Sequence, residues 1–256
     1  MDLEAQAIRR IHLAAELSAA YYQKPLLLLL AYSGGKDSEV CLELCRRAHI
    51  PLEVIHHLTT ADAPETIYHV RKVFRQLELE GIACAFHKPL YRGKPTSMWS
   101  LIVQKGWPPT RKQRYCCQVL KESSAPHRAV VLGVRAAESQ NRKDSAVAEQ
   151  QGSSRREVHR FDFDNGDERI VAPCQQKAEI KIHPIVDWRD SDVWSFLRDA
   201  KVVFAPVGQP EVTRRLHEEG VKVVYDSGWS DDLSIDGIKA FLPYIDVYTP
   251  NDKEAR

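Results

Sequence analysis

The stretch Leu26–Val40, LLLLLAYSGGKDSEV, constrains the fold more than any other part of the chain. Its apolar run is far shorter than the ~20 residues a membrane helix needs. It reads instead as a strand buried on both faces of a parallel sheet. Glu39–Ala48 then has helical character, with Val40, Leu42 and Leu44 apolar and Arg46 and Arg47 near the end, where cations suit the helix dipole. Between strand and helix lie Ser33, Gly34, Gly35, Lys36, Asp37 and Ser38. Such a bend is either a plain turn or a loop built for phosphate. Adjacent glycines let amide groups approach an anion closely. Ser38 and the first-turn amides would face that anion at the positive end of the helix, and Lys36 adds a point charge. The glycine spacing excludes the Walker loop.

The rest of the chain supplies a scaffold for such a loop. Residues 1–23 read as an amphipathic helix, with Ile8, Ile11, Leu13, Ala14, Leu17 and Tyr21 near helical spacing. Leu52–Leu58 is a second strand, and the loop after it feeds a helix from Glu65 to Leu79. Ile82–His87 and Ala129–Val134 are a third and fourth strand. Short apolar strands alternating with helices predict a doubly wound α/β domain with a mostly parallel sheet, whose ligands collect outside the carboxyl ends of the strands. Residues 143–168 are polar and weakly patterned, and read as an exposed, mobile loop.

Charge and cysteine usage narrow the setting. A formal net charge of +1 excludes a chain that binds polyanions through bulk charge, though a local basic patch stays open. Six cysteines without a secretory signal fit reduced thiols, metal ligands or redox groups in the cytoplasm, away from any membrane. Cys41, Cys45 and Cys84 read as packing residues.

Other segments carry candidate site residues. In RKQRYCC, Arg111, Lys112 and Arg114 suit phosphate or sulfate, or else form a solvated basic face. These cations are expected to lower the thiol pKa of Cys116 and Cys117. GVRAAESQNR places Arg135 and Arg142 just past a strand end, with Glu138 able to pair with one of them. Thr59, Thr60 and Asp62 follow the second strand, as secondary ligand candidates or simple helix-start residues. In HPIVDWRDSDVWSFL, Asp190 or Ser191 suits a helix cap, and Trp188, Val193, Trp194 and Leu197 an apolar face. Asp187 is an outside candidate for function.

SGGKDS resembles the pyrophosphate-binding loop of the PP-loop ATP pyrophosphatases, the adenine nucleotide alpha-hydrolase-like superfamily with its HUP/Rossmann-like fold. PTSMWSLIVQKGWPPTRKQRYCCQVLKE (Pro95–Glu122), GVRAAESQNR and HPIVDWRDSDVWSFL follow in order, and over Leu26–Arg198 the chain resembles the PAPS reductase (CysH-like) family. That branch includes phosphoadenylyl-sulfate reductases and DNA-phosphorothioation sulfur-transfer enzymes. The resemblance implies ATP or phosphoadenylyl sulfate as substrate, with Mg²⁺ if ATP is used. It implies catalytic roles for Lys36, Arg111, Arg114, Cys116 and Cys117, and nucleotide contacts from the loop, Thr59, Thr60, Arg135 and Arg142. A thiol donor such as thioredoxin and a homodimer are the partners it suggests. Family members often carry an iron–sulfur cluster. Cys116, Cys117 and Cys174 supply three thiols where four are usual, so a cluster is not expected. The reductases also place a nucleophilic cysteine in a C-terminal Glu-Cys-Gly-x-His segment, whereas this sequence ends TPNDKEAR.

Two function classes follow. One is an enzyme that reduces a sulfonucleotide, or adenylates an acceptor with pyrophosphate release and sulfur transfer. The other is a non-catalytic nucleotide-binding module, of a mobile-element or DNA-modification system, that has lost its redox cysteines. The family-like domain is expected over 1–203. Residues 204–256 read as a short atypical α/β appendage resembling a fragment of ribokinase-like (PfkB) sugar kinases. There Pro210–Glu219 and Ile235–Leu242 read as helices, and Val221–Tyr225 and Ile245–Tyr248 as strands. The acceptor and any nucleic-acid partner are left open.

Overall fold

The computed structural model describes residues 2–22, 27–110, 113–121, 128–138, 142, 145–151, 158–161, 164, 180–200, 202–205, 210–220, 222–225, 239, 242–245 and 247–248. The chain divides into two compact units, residues 1–61 with 76–190 and residues 62–75 with 191–256.

In the first unit, α1 (Leu3–Tyr22) precedes β1 (Leu28–Ala31), α2 (Lys36–Arg47) and β2 (Leu52–His57). Helix α3 (Pro64–Leu79), whose residues up to 75 belong to the second unit, leads to β3 (Ala83–His87), the hairpin β4 (Leu90–Tyr91) and β5 (Lys94–Pro95), then α4 (Met98–Lys105) and α5 (Tyr115–Leu120). Strands β6 (Ala129–Val131), β7 (Ala148–Gln151), β8 (Val158–Phe161) and β9 (Ile180–Ile182) complete it. The seven-stranded sheet has the order β3-β2-β1-β6-β9-β7-β8. From β3 to β9 neighbouring strands are parallel, and β7 and β8 are added antiparallel at one edge. This is the mostly parallel α/β sheet that the alternating pattern predicts. The segment 143–168, expected to be a mobile loop, instead contributes β7 and β8. Its alternation of polar residues hid an edge ribbon, in which one face needs no apolar side chains.

Strand β1 lies at the centre. Leu28, Leu29 and Leu30 are all buried, as an interior parallel strand requires. Leu28 pairs with Leu52 of β2, and Leu29 with Val130 of β6. On one face Leu29 and Val130 pack with Ala31, Ile55 and Leu132. Helices α1 and α2 pack on each other and on β1, and Ile11, Ala14, Val40, Cys41, Leu44 and Cys45 are buried. Cys41 and Cys45 are thus the core residues expected. Burial pushes the Cys45 thiol up to about 12 and Cys41 well above its ordinary value.

One buried ion cluster ties α1 to the turn His183–Trp188. Arg10 is 2% exposed. It donates to Asp187 Oδ1 at 2.7 Å, to the Pro184 carbonyl at 2.8 Å and to Asp164 Oδ2 at 2.5 Å. Asp187 therefore serves the scaffold. Burial works against the Arg10 charge, yet Asp187 and Asp164 hold it above its ordinary value. Trp188 is buried beside this turn.

The second unit contains α6 from Ser191 onward (the helix spans Asp190–Asp199), β10 (Val202–Ala205), α7 (Pro210–Glu218), β11 (Lys222–Tyr225) and β12 (Val247–Tyr248). The three strands form a parallel sheet of their own in the order β10-β11-β12. Val193, Phe196 and Leu197 are buried, but Trp194 is 37% exposed and does not belong to the apolar face expected of it. The helix expected over 235–242 lies largely outside the described residues. No described helix is long and apolar enough to cross a membrane.

Removing one partner of a buried ion cluster leaves the others unpaired. Arg10→Ala should lower unfolding stability in urea by about 2–3 kcal/mol, the low end of that penalty because both carboxylates keep some solvent. The Arg10 guanidinium holds Asp164 below its ordinary 3.8. Its contribution is complete above that value and is lost as pH falls through the lower folded value. The gap between wild type and variant should therefore hold at neutral pH and narrow below about pH 4.

Candidate functional site

The strand order reverses between β1 and β6. From β1 the chain builds outward through β2 and β3, then returns to β1's other side with β6 and β9. The loops leaving β1 and β6 therefore diverge at their carboxyl ends, where open α/β sheets hold their ligands. Both expected glycine motifs lie at this point.

The loop after β1 is tied to the core at its base. Tyr32 is 1% exposed, its N–H donates to the Ile55 carbonyl at 2.8 Å, and its hydroxyl donates to the buried Glu39 of α2. Burial first, then Glu39, raises the Tyr32 phenol well above its ordinary value, so it stays a donor. Gly34 has φ +84°, a conformation that favours glycine. Gly35 is extended and precedes α2 without any side-chain cap. The Ser33 hydroxyl donates to Ser38 Oγ at 3.2 Å, and the Ser38 hydroxyl donates to the Gly35 carbonyl at 2.7 Å. The loop thus holds its own shape, while the first turn of α2 points its amides outward. Lys36 opens the helix and lies 3.8 Å from Asp190.

The loop after β6 locks against this turn. A Cβ on Gly133 would lie 2.8 Å from the backbone C and O of Asp37, so no side chain fits there. Two residues on, Arg135 is 2% exposed. Its Nε donates to Asp37 Oδ1 at 2.7 Å and its Nη2 to Asp190 Oδ1 at 2.8 Å. Its Nη1 has no hydrogen-bond partner among the described residues. Burial pushes the Asp37 carboxyl up, against the pull of Arg135. Both carboxylates hold the Arg135 charge above its ordinary value in spite of its burial. The sequence-expected anion ligand is thus first a clamp between the two loops. Arg142 likewise pairs with Glu138, the alternative the sequence left open.

Thr59 accepts the Ala61 N–H at 3.3 Å. Thr60 holds φ +62°, strained for a β-branched residue, and its Oγ1 accepts the Met98 N–H of α4 at 2.7 Å. Both therefore shape the rim of the site. Arg114 is exposed before α5, while Arg111, Lys112 and Cys174 lie outside the described residues. Cys116 and Cys117 sit half-buried on α5. Burial and the neighbouring Cys117 push the Cys116 thiol up. This runs against the expectation that nearby cations would favour its thiolate, although Arg111 and Lys112 lie outside the described residues. Among the described residues no group of three or more His, Cys, Asp or Glu could hold a metal ion.

Two features were missed in the sequence. Asp190 is a site residue and not merely a helix-start residue; a lone aspartate gave no signal. His57, ending β2, is held down to about 4 by burial, with His87 and His56 adding to the effect. The adjacent His56 and His57 at the end of a strand could have been noticed.

A model of the phosphoadenosine phosphosulfate reductase domain family matches residues 27–211, well over half of the chain. The chain belongs to this family. Among curated relatives, an uncharacterised protein of Methanocaldococcus jannaschii is 27% identical over 181 residues, 68% of this chain and 36% of that one. Sulfate adenylyltransferase subunit 2 of Parabacteroides distasonis is 24% identical over 221 residues, 80% of this chain and 66% of that one. The same subunit of Bacteroides thetaiotaomicron matches to the same extent. The chain thus spans about a third of the first relative and less than two thirds of the others. A crystal structure of phosphoadenylyl-sulfate reductase from Candida auris, in a phosphate complex, has a TM-score of 0.43 and 19% identity. It covers 73% of this chain and 79% of that one. None of these matches supports the likeness of residues 204–256 to a sugar kinase, and the family match itself runs past residue 204. That resemblance is not retained.

Two glycine substitutions separate the clamp from the cradle. In Gly133→Ala the new Cβ meets backbone that cannot step aside, so unfolding stability should drop by about 1–3 kcal/mol. In Gly35→Ala the nearest atom, Ser33 Oγ, is 3.6 Å away and φ is −91°. Its stability should change by less than about 1 kcal/mol, the scale of an N-cap exchange. Urea titrations of both variants check the contrast.

Proposed function

We propose that this family member binds ATP, with its phosphates on Ser33–Ser38, and transfers the adenylyl group to an oxyanion acceptor with release of pyrophosphate. The observation that carries this reading is the self-bonded glycine loop at the sheet's reversal point, which leads into the uncapped first turn of α2 where Lys36 stands. In the reaction an acceptor oxygen bonds to the α-phosphorus while the bond from that phosphorus to the bridging oxygen breaks. Pyrophosphate leaves with the electron pair. Lys36 and the helix terminus offset the charge growing on the leaving group. Arg111 and Arg114 hold the acceptor's oxygens, since guanidinium groups bind oxyanions through paired hydrogen bonds. Mg²⁺ arriving with the triphosphate would offset part of its negative charge. The name of two relatives, sulfate adenylyltransferase subunit 2, supports a sulfate-like acceptor.

A second reading, reduction of phosphoadenylyl sulfate, is favoured by the adjacent thiols on α5. A thiolate there would bond to the sulfate sulfur and expel adenosine bisphosphate, and a thiol donor such as thioredoxin would then release sulfite. It ranks second because the Cys116 thiol is raised, away from thiolate.

Calorimetric titration with ATP and with phosphoadenylyl sulfate, beside pyrophosphate and sulfite assays, separates these readings. ATP binding with acceptor-dependent pyrophosphate release is expected. Sulfite formation would replace the first reading by the second, and binding with neither product would indicate an accessory module. Lys36→Ala should weaken nucleotide binding by roughly 1.5–3 kcal/mol, the worth of a hydrogen bond to a charged group. An unchanged affinity would count against the loop.

A further inference from the structure

The chain's charge is unevenly distributed. From Lys88 to Lys121 there are eight lysines and arginines and not one aspartate or glutamate. The whole chain is only +1, so the remainder is net acidic. Pyrophosphate and sulfate chemistry at one nucleotide does not account for so many cations.

The fold gathers this segment into one lobe. Helix α5 packs on both α4 and the β4 strand of the β4–β5 hairpin. Lys88, Arg92, Lys94, Arg114 and Lys121 are exposed. Aromatic rings are set among the cations. The Arg92 guanidinium lies 5.3 Å from the centroid of the Tyr91 ring, and the Lys105 ammonium lies 5.1 Å from Tyr91 and 5.8 Å from Tyr115. The Tyr115 hydroxyl donates to the Trp107 carbonyl at 2.6 Å, which fixes the turn carrying that indole. Lys105 and Arg92 hold the Tyr91 phenol below its ordinary value, the mark of a positive local field.

The apolar side chains of this lobe face solvent. Trp99 is 70% exposed, Val103 81% and Trp107 48%. Trp99 and Val103 are four residues apart, on one face of α4, and Trp107 follows just past its end. Two open indoles beside an acid-free set of cations match a polymer that carries a flat base on every unit and a phosphate between units. Stacking on aromatic side chains with a cationic track for the backbone is how proteins hold unpaired strands. An acidic protein partner would use the cations but does not present a flat ring on every unit.

We propose that the lobe formed by β4–β5, α4 and α5 docks a single-stranded nucleic acid, with bases stacked on Trp99 and Trp107 and phosphates on Lys88, Arg92, Lys94 and Lys105. The lobe meets the rim of the nucleotide site where Met98 of α4 bonds Thr60. A strand lying there would end beside the cradle, but the proposal does not depend on what that site does.

The test uses the full chain and fluorescein-labelled oligonucleotides of about 15 mixed-sequence nucleotides, within the span such surfaces cover. DNA, RNA and duplex forms are compared by anisotropy. Single strands should bind more tightly than the duplex, with the DNA and RNA arms showing which sugar is preferred. The plot of log affinity against log salt should have a slope of about −3, at roughly 0.7 per phosphate neutralised by four cations. Trp99→Ala combined with Trp107→Ala should weaken binding at least tenfold without changing the circular dichroism spectrum. Lys94→Glu should weaken it and flatten the salt slope. Lys36→Ala should leave oligonucleotide affinity within about twofold while nucleotide affinity falls, which separates this proposal from the previous one. No binding at about 50 mM salt, where phosphate contacts are strongest, would overturn it. So would binding indifferent to loss of both indoles, or polyglutamate competing as well as the oligonucleotide, the outcome that would indicate an acidic protein.

Discussion

A single guanidinium holds the site together. Arg135 leaves the carboxyl end of β6 and reaches Asp37 in the first turn of α2 and Asp190 at the start of α6. At 2% exposure its charge has little water to fall back on. Both carboxylates must therefore stay in place, because leaving a buried charge unpaired costs several kcal/mol, on the order of 3–5. The clamp fixes where the β1 and β6 loops diverge, and so where the phosphate-facing amides point. Gly133 makes the same contact possible by having no side chain.

This arrangement divides the labour among charged residues. Arg135 and Asp37 spend most of their capacity on each other, and Arg142 spends its own on Glu138. Lys36, by contrast, stands 3.8 Å from its carboxylate, a looser pairing that a phosphate can outcompete. The Tyr32–Glu39 bond keeps the loop's base closed from below.

The parts of the fold that rest on unbroken local patterns were legible in the sequence. Strand β1 is Leu28–Ala31 because the consecutive leucines Leu28, Leu29 and Leu30 are buried as an interior strand between two others, and its loop follows from Gly34 and Gly35. Helix α3 runs Pro64–Leu79, within a residue of its expected start. Strands β7 and β8 were not legible, since an edge ribbon of Ala-Glu-Gln-Gln and Val-His-Arg-Phe carries no apolar run. At the candidate site, the structure gives some of the residues named from sequence a structural partner that the sequence did not show. Arg135 was read as a ligand because sequence shows its charge and not its burial. Cys116 was read as activated because the nearby cations are visible in sequence and the desolvation is not. Asp190 became a site residue only through contact across 55 positions of sequence.

The most direct test of the phosphate-cradle account is hydrogen exchange measured by mass spectrometry with and without ATP. The account predicts that ATP slows exchange across Ser33–Ser38 and the first turn of α2 more than anywhere else in the first unit. If ATP binds yet leaves those amides exchanging at the same rate, the nucleotide sits elsewhere and the account is contradicted.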